Sequence, residues 1–469
     1  MDKEELCFTP ATKLVDMIAR KKLSPVELMD TVLERAEALN PKLNAIATWT
    51  ADQARDRARK AEAAVMKGRK LGALHGIPIT LKDVLFTKGV KTMSGSHIFS
   101  SRVPDVDAPT AERLQAAGGI SIGKTTVPEL AWKGCGDSPL TGISHNPWKL
   151  GYNAGGSSTG AAIFAAAGVG PLHQGSDGAG SVRMPAGFCG VYGLKPSFGR
   201  IPSYPPVAAD QISHMGPLTR TVADSALMLN AMAGPDDRDP TSLEGPVPDY
   251  LKGLDKGVKG LRIAFSPNLG YLKVDDEVAK PVAKAAKAFE ELGAHVEQVD
   301  DPGWGDPTEM ELFFYSTWYA ATLGPILDKW ERYMDPGLVA CARAGLGGSA
   351  GEYVRMRLRR FEYADRVQAF FRSYDLLLTP TLSVAAFRAG DLIPEHWEQH
   401  PWDWIRWAGF SYPFNLTWNP AATCPCGFTP AGLPVGLQIV GRRFRDDIVL
   451  QASHAFEKAR PWAQKRPKL

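Results

Sequence analysis

Between residues 150 and 203 the chain is dense in glycine and serine yet keeps one apolar, helix-like block at residues 161–167. The stretch reads as loops that carry chemistry, mounted on regular elements. Its two clusters are Gly155-Gly156-Ser157-Ser158-Thr159-Gly160 and Gly175-Ser176-Asp177-Gly178-Ala179-Gly180-Ser181-Val182-Arg183. The separation of Ser157 from Ser181 leaves room for a loop, a helix and a return loop that brings the two hydroxyls together. The flanking sequence alternates strand and helix. Residues 76–82 alternate two side-chain sets as a strand does, with Lys82 at its end on the face opposite Leu81. Residues 111–115 read as helix stopped by Gly118-Gly119, residues 120–122 as a short strand, and Pro128-Glu129 as a new helix start. This alternation predicts an α/β fold.

The N-terminal part, about residues 9–65, reads as helices. Ser24-Pro25-Val26-Glu27 is a capping-box pattern with proline at the first helical position, and Leu28, Val32 and Ala36 follow on one face. Residues of about 234–260 turn to Pro, Gly and Asp and mark a surface connection between a catalytic half, about 66–233, and a second half, about 261–469. Read alone, that connection suggests two domains. After it come a strand at 261–265, a helix ending at Leu292 before Gly293, and a strand at 295–299; Pro281 predicts a kink in that helix or a later start.

The bulk numbers exclude several classes. With 469 residues, 44% of them apolar, the chain can bury a large core. Lys and Arg number 54 against 51 Asp and Glu, a net +3 that argues for neither a nucleic-acid nor a membrane partner. The basic run at 458–468 reads as a solvated tail. Six cysteines are too sparse for a disulfide scaffold, and Cys424 with Cys426 cannot close a metal site alone. No metal and no cofactor are expected. The start lacks the apolar run of a signal peptide, and no stretch is apolar for the ~20 residues of a membrane span, so the expected setting is cytoplasmic.

Three chemistries compete for the clusters. Residues 118–125, Gly-Gly-Ile-Ser-Ile-Gly-Lys-Thr, fit the phosphate-loop pattern, but a helix precedes the glycines and the intervening residues are strand-like, the reverse of what phosphate binding needs. Gly156-Ser157-Ser158-Thr159-Gly160 fits a nucleophile elbow centred on Ser158, as in an α/β-hydrolase esterase, but no apolar strand leads into it. The third reading takes both clusters together. A nucleophilic serine needs a proton acceptor and donors for the oxyanion, and Gly178-Ala179-Gly180 can offer successive backbone amides. No histidine is well placed as base. A lysine made neutral by burial can serve, and Lys82 is the candidate, its plain alternative being an ordinary exposed lysine.

These residues resemble the amidase signature family, in the segments 155–158, 175–183 and 188–199, and further in 76–83, 216–224, 375–380 and 432–441. The resemblance implies one α/β domain over residues 1–469, with a mixed, twisted, many-stranded sheet covered by helices on both faces. It further implies a Ser–cis-Ser–Lys triad carried onto Ser181, Ser157 and Lys82, with a cis peptide bond before Ser157. Neutral Lys82 would take a proton from Ser157 as Ser157 takes one from Ser181, whose oxygen attacks an amide carbonyl. Amides of Gly178, Ala179, Gly180 and Ser181 would hold the oxyanion. Ser158, Asp177 and Arg183 are supporting residues, the last two as a loop-fixing pair.

Two departures stand out: Asn153-Ala154 replaces the usual Ser/Thr-Pro, and Ala179 stands where glycine is usual, a methyl expected to narrow the acyl pocket. Cys135, Cys189 and His173 read as packing. The implied partner is a small-molecule amide, with a homodimer left open. An aromatic crowd, Trp397, Trp402, Trp404, Trp407, Phe410, Tyr412, Phe414 and Trp418, lines either a pocket or a core; its spacing favours core. An apolar or aromatic amide, anilide or carbamate is the expected substrate. The alternatives are a glutaminase subunit serving charged tRNA, an esterase, or a scaffold that lost the reaction.

Overall fold

In the computed structural model, which describes residues 2–206 and 211–469, strands from both sides of the Pro/Gly/Asp-rich connection join one 11-stranded sheet. Strand Pro78–Lys82 runs parallel to Ile120–Thr125 on one side and to Leu172–Asp177 on the other. Leu172–Asp177 pairs antiparallel with His214–Thr219, which pairs antiparallel with Tyr192–Lys195. Tyr192–Lys195 meets Ala421–Phe428 antiparallel, and at this seam the sheet passes into the second half. Beyond it lie Pro434–Gly441, Leu376–Pro380, Arg262–Phe265 and His295–Gln298. The sheet is mixed, as the resemblance implied.

Both faces of the sheet are covered. Side chains alternate faces along a strand, and here alternate residues enter two different cores. Leu376 and Leu378 belong to one apolar cluster and Leu377 to the other; Leu437 and Ile439 belong to the first and Val440 to the second. The first cluster takes in the N-terminal helices. Ser24 caps helix Pro25–Leu43 by accepting from the Val26 and Glu27 amides at 3.0 and 3.2 Å, and Leu28, Val32 and Ala36 are buried as their spacing predicts. Within the region read as all-helical, the short strand Ile46–Trp49 adds an edge to the sheet, antiparallel to Ile120–Thr125. Helix Asp276–Glu291 contains Pro281, which does not delay its start.

Helix Thr159–Ala167 connects the two glycine–serine clusters and is buried on every side, so it fixes their separation. Its start lies against backbone: the Gly160 amide donates to the Thr126 carbonyl at 3.1 Å, and a Cβ at Gly160 would stand 1.9 Å from the Ala45 carbonyl oxygen. A Gly160→Ala protein is expected to lose roughly 1–3 kcal/mol or more, the cost of overpacking against an unyielding neighbour, which a chemical denaturation midpoint would register.

Candidate active site

Lys82 reaches from the end of its strand to Ser157, with Nζ donating to Oγ at 2.8 Å. The same amine donates to Ser176 Oγ at 3.0 Å and to the Ser176 carbonyl at 3.3 Å. The lysine backbone is keyed to the next strand through its amide, which donates to Gln174 Oε1 at 3.0 Å. Lys82 is fully buried, and the loss of solvation pulls its pKa down to about 7 against the opposing attraction of Asp177. A buried amine of that kind is neutral for much of its time near neutrality.

The peptide bond between Gly156 and Ser157 is cis. A Cβ at Gly156 would lie 2.7 Å from the carbonyl oxygens of both Lys133 and Cys135, so only glycine fits there. Asn153 shapes the approach, its Oδ1 accepting from the Gly155 amide at 2.9 Å. Ser158 ties the clusters together: its amide donates to the Ser181 carbonyl at 3.1 Å, and its hydroxyl donates to the Ser176 carbonyl at 3.1 Å and accepts from the Ser176 amide at 3.2 Å. No strand leads into it, as the elbow reading would require. Lys124 of the phosphate-loop pattern lies buried in strand Ile120–Thr125, with Nζ bonded to the Leu85 carbonyl and to Thr87 Oγ1.

The loop that carries Ser181 is folded around Asp177. Arg183 meets that carboxylate through two bonds, Nη2 to Oδ1 at 2.8 Å and Nε to Oδ2 at 3.0 Å. The amides of Gly180 and Val182 donate to the same group at 2.8 and 3.1 Å. Asp177 is consequently held ionised, its pKa far below the usual carboxylate range because Arg183 outweighs the effect of burial. Three residues from the second half complete the arrangement: Arg183 Nη1 donates to the Ser411 carbonyl and Gln438 Oε1 at 2.8 and 2.7 Å, and Nη2 to Asn415 Oδ1 at 2.6 Å.

This geometry corrects two expectations. The Gly180 amide points at Asp177, which removes it from the set of oxyanion donors; Gly180 itself, at φ 115° and with a Cβ that would stand 2.3 Å from Ser411 Oγ, is held to glycine by that approach. Ala179 keeps an ordinary backbone conformation and packs its methyl in the second apolar core rather than in the cavity, so it narrows nothing there.

Ser157, Ser176, Gly178 and Ser181 open on a cavity of about 520 Å³. Its far wall is aromatic, but not from the crowd at 397–418, whose Trp404, Trp407, Phe410, Tyr412 and Phe414 are buried in the second core. The wall comes instead from Tyr315, Trp318, Tyr319 and Leu323 of helix Thr308–Leu323, with Phe86 and Phe99. The sequence carries one trace of it, the helical spacing of 315, 318 and 319. Tyr315 and Tyr319 donate their hydroxyls to the Trp132 and Leu130 carbonyls at 2.5 and 3.2 Å, so both rings are fixed. His173 is buried beside Thr80, its pKa pushed down to about 3 by burial. Cys135 and Cys189 are buried free thiols. Among the described residues no cluster of three metal-ligating side chains occurs, and no helix is long and apolar enough to cross a membrane.

Two serines beside a buried lysine, open on one cavity of a mixed sheet, are an arrangement whose class comparison with known proteins gives. The Amidase family model matches residues 27–450. The chain is 40% identical to an acylamidase of Rhodococcus erythropolis, over 100% of this chain and 98% of that one. It is 37% identical to a glutamyl-tRNA(Gln) amidotransferase subunit of Moorella thermoacetica, over 99% of each. Among solved structures, a bacterial aryl acylamidase of the amidase signature family superposes with a TM-score of 0.91 at 31% identity over 97% of both chains. The 6-aminohexanoate cyclic dimer hydrolase does so with 0.89 at 26% identity, over 98% of this chain and 99% of that one. The chain belongs to the amidase signature family. It is a hydrolase that acts on amide C–N bonds.

Replacing Arg183 with Met would strand the Asp177 carboxylate in the interior. Breaking such a buried pair costs about 3–5 kcal/mol, so the variant is expected to melt well below the parent in a calorimetric scan and to lose activity with it.

Proposed function

We propose that the chain hydrolyses apolar or aromatic acyl amides, anilides or carbamates through an acyl-enzyme on Ser181. The observation that carries the reading is the buried Lys82 amine 2.8 Å from Ser157 Oγ, beside a cavity that Ser157 and Ser181 share with an aromatic wall. In this mechanism Ser181 Oγ attacks the carbonyl, its proton passes to Ser157, and the Ser157 proton passes to neutral Lys82. The relay then runs backwards to protonate the departing nitrogen, the step that limits amides more than esters. With Gly180 engaged by Asp177, the amides of Gly178, Ala179 and Ser181 are the donors proposed for the oxyanion, each contributing on the order of 10²–10³ in rate. Water hydrolyses the acyl-enzyme by the same relay.

The substrate class rests on the wall of the cavity and on the acylamidase names of two relatives. The identity to an amidotransferase subunit supports a second reading, glutamine hydrolysis within a larger assembly. Against it, the described residues lining the cavity include no carboxylate to hold an α-ammonium group.

Release of amine or ammonia by the purified chain across aliphatic amides, anilides, carbamates, glutamine and short peptides separates the two, with Ser181→Ala as the blank. Turnover of anilides and apolar amides, with a covalent acyl adduct in the intact mass that Ser181→Ala lacks, is the expected result. Turnover of glutamine alone, and only with added subunits, would replace this reading by the second.

The pH profile follows from Lys82. The base must be neutral, and its pKa stands at about 7, so kcat/KM should rise with pH through that value and level off above it. Below it the rate should fall about tenfold per pH unit. Lys82→Ala should lower the rate by orders of magnitude and abolish this limb; an unchanged limb in the variant would remove Lys82 from the mechanism.

A further inference from the structure

Arg102 is the one charged side chain among the described residues that line the cavity, and the reaction proposed above does not use it. Its guanidinium is fixed in place. Nε donates to the Thr92 carbonyl at 2.9 Å and Nη2 to Ser94 Oγ at 2.7 Å. Its Cζ lies 4.2 Å from the centroid of the Phe99 ring and 5.0 Å from that of Phe86, and Ser94, Phe86 and Phe99 line the same cavity. A cation–ring contact uses the charge of a guanidinium and consumes none of its N–H donors. Nη1 and the second hydrogen of Nη2 take no hydrogen bond among the described residues.

A purely structural role would have Arg102 neutralise the buried Asp83 close by. Burial pushes the Asp83 pKa up, and against it stand first Lys124 and then the amides of Met93, at 3.0 Å, and Gly95, each a larger influence than Arg102. Holding the 92–102 loop accounts for Nε and for one hydrogen of Nη2 only. What remains is a preorganised cationic donor at an aromatic wall, in a cavity whose described lining holds no acid. Asp83 is the carboxylate that Arg102 feels within the protein; a neutral ligand would leave the remaining donors of the cation unmatched, whereas a carboxylate matches them in both charge and geometry.

We propose that Arg102 is a specificity residue that binds a carboxylate on the substrate, so that the cavity takes an apolar or aryl amide with an acidic end. The proposal rests on the amide-hydrolase reading of the cavity and narrows it. The carboxylate can belong to the acyl part or to the amine part, and two substrate pairs distinguish these: succinanilic acid against 4-methylpentananilide, and 4-acetamidobenzoate against 4-nitroacetanilide.

The quantity to measure is the ratio of kcat/KM for acid over neutral partner, in the parent, in Arg102→Gln and in Arg102→Lys. For one of the pairs, Arg102→Gln should lower the ratio about ten- to hundredfold, mainly through KM, as expected for loss of a charge-assisted bond. Arg102→Lys should restore part of it, and raising salt should reduce the parent's ratio. A ratio unchanged by Arg102→Gln in both pairs, with the two members falling together, would reduce Arg102 to a loop clamp and overturn the proposal. So would a parent that disfavours the acid in both pairs, a result that stands even if Arg102→Gln does not fold. Calorimetric titration of Ser181→Ala with both acids, against the same protein carrying Arg102→Gln, reads binding without turnover. Arg102-dependent binding there, with no anilide hydrolysed by the parent, would sink the catalytic reading and leave the anion site standing.

Discussion

The buried fork between Arg183 and Asp177 is the interaction on which the site depends. Removing two charges from water costs several kcal/mol for each ion, and the cost is offset only when every remaining donor and acceptor finds a partner. Here they do: the carboxylate takes Arg183, Asn415 and the amides of Gly180 and Val182, and the guanidinium also takes Ser411 and Gln438. The backbone between Asp177 and Arg183 is thereby wrapped around one point, with Ser181 carried on its outer side. The other partners of Arg183, namely Ser411, Asn415 and Gln438, come from across the connection that divides the sequence. A Ser181 loop assembled in this way draws on both halves, which share one sheet at the seam of Tyr192–Lys195 and Ala421–Phe428.

The same fork reaches Lys82. Burial lowers the lysine pKa while Asp177 raises it. Because Arg183 keeps Asp177 ionised against the effect of burial, the carboxylate stands as a fixed negative charge near the amine. Desolvation prevails at Lys82 all the same, and its pKa stands at about 7. The loop's shape and the negative charge that opposes desolvation at the proposed base therefore both depend on one ion pair.

Much of this was legible in the order of residues. The two glycine–serine clusters, the apolar block between them and the strand ending in Lys82 are local patterns, and local patterns are what periodicity and backbone propensity reveal. The phosphate-loop match failed on context that can be read from sequence, since Lys124 belongs to a strand. Other features were not legible because their causes are tertiary. Helix Thr308–Leu323 is apolar around most of its circumference, so the spacing of Tyr315, Trp318 and Tyr319 shows one helix face but not that this face meets a cavity. The Gly180 amide is diverted by a side chain whose orientation is set by Asn415 and Arg183. Strand Ile46–Trp49 is four residues long and gains its partner from Ile120–Thr125, far along the chain.

The aromatic crowd at 397–418 shows why core and pocket are poor alternatives. Trp404 and Trp407 are buried, yet they press on the backbone that faces the cavity: a Cβ at Gly134 would lie 2.6 Å from the Trp407 ring and 2.8 Å from that of Trp404. Trp404 Nε1 donates to the Trp132 carbonyl at 3.1 Å, the same oxygen that Tyr315 holds at 2.5 Å. That segment presents Leu130 and Ala131 to the cavity in left-handed conformations, at φ 50° and 62°, and sets the Lys133 and Cys135 carbonyls against Gly156. Left-handed backbone at two successive non-glycine residues persists only where surrounding contacts over-determine it. The buried tryptophans supply those contacts from one side and the wall tyrosines from the other. The second core thus shapes the cavity from both sides, lining it through Tyr315, Tyr319 and Leu323 and bracing it through Trp404 and Trp407, and the position of Ser157 depends on aromatic packing from the far end of the chain.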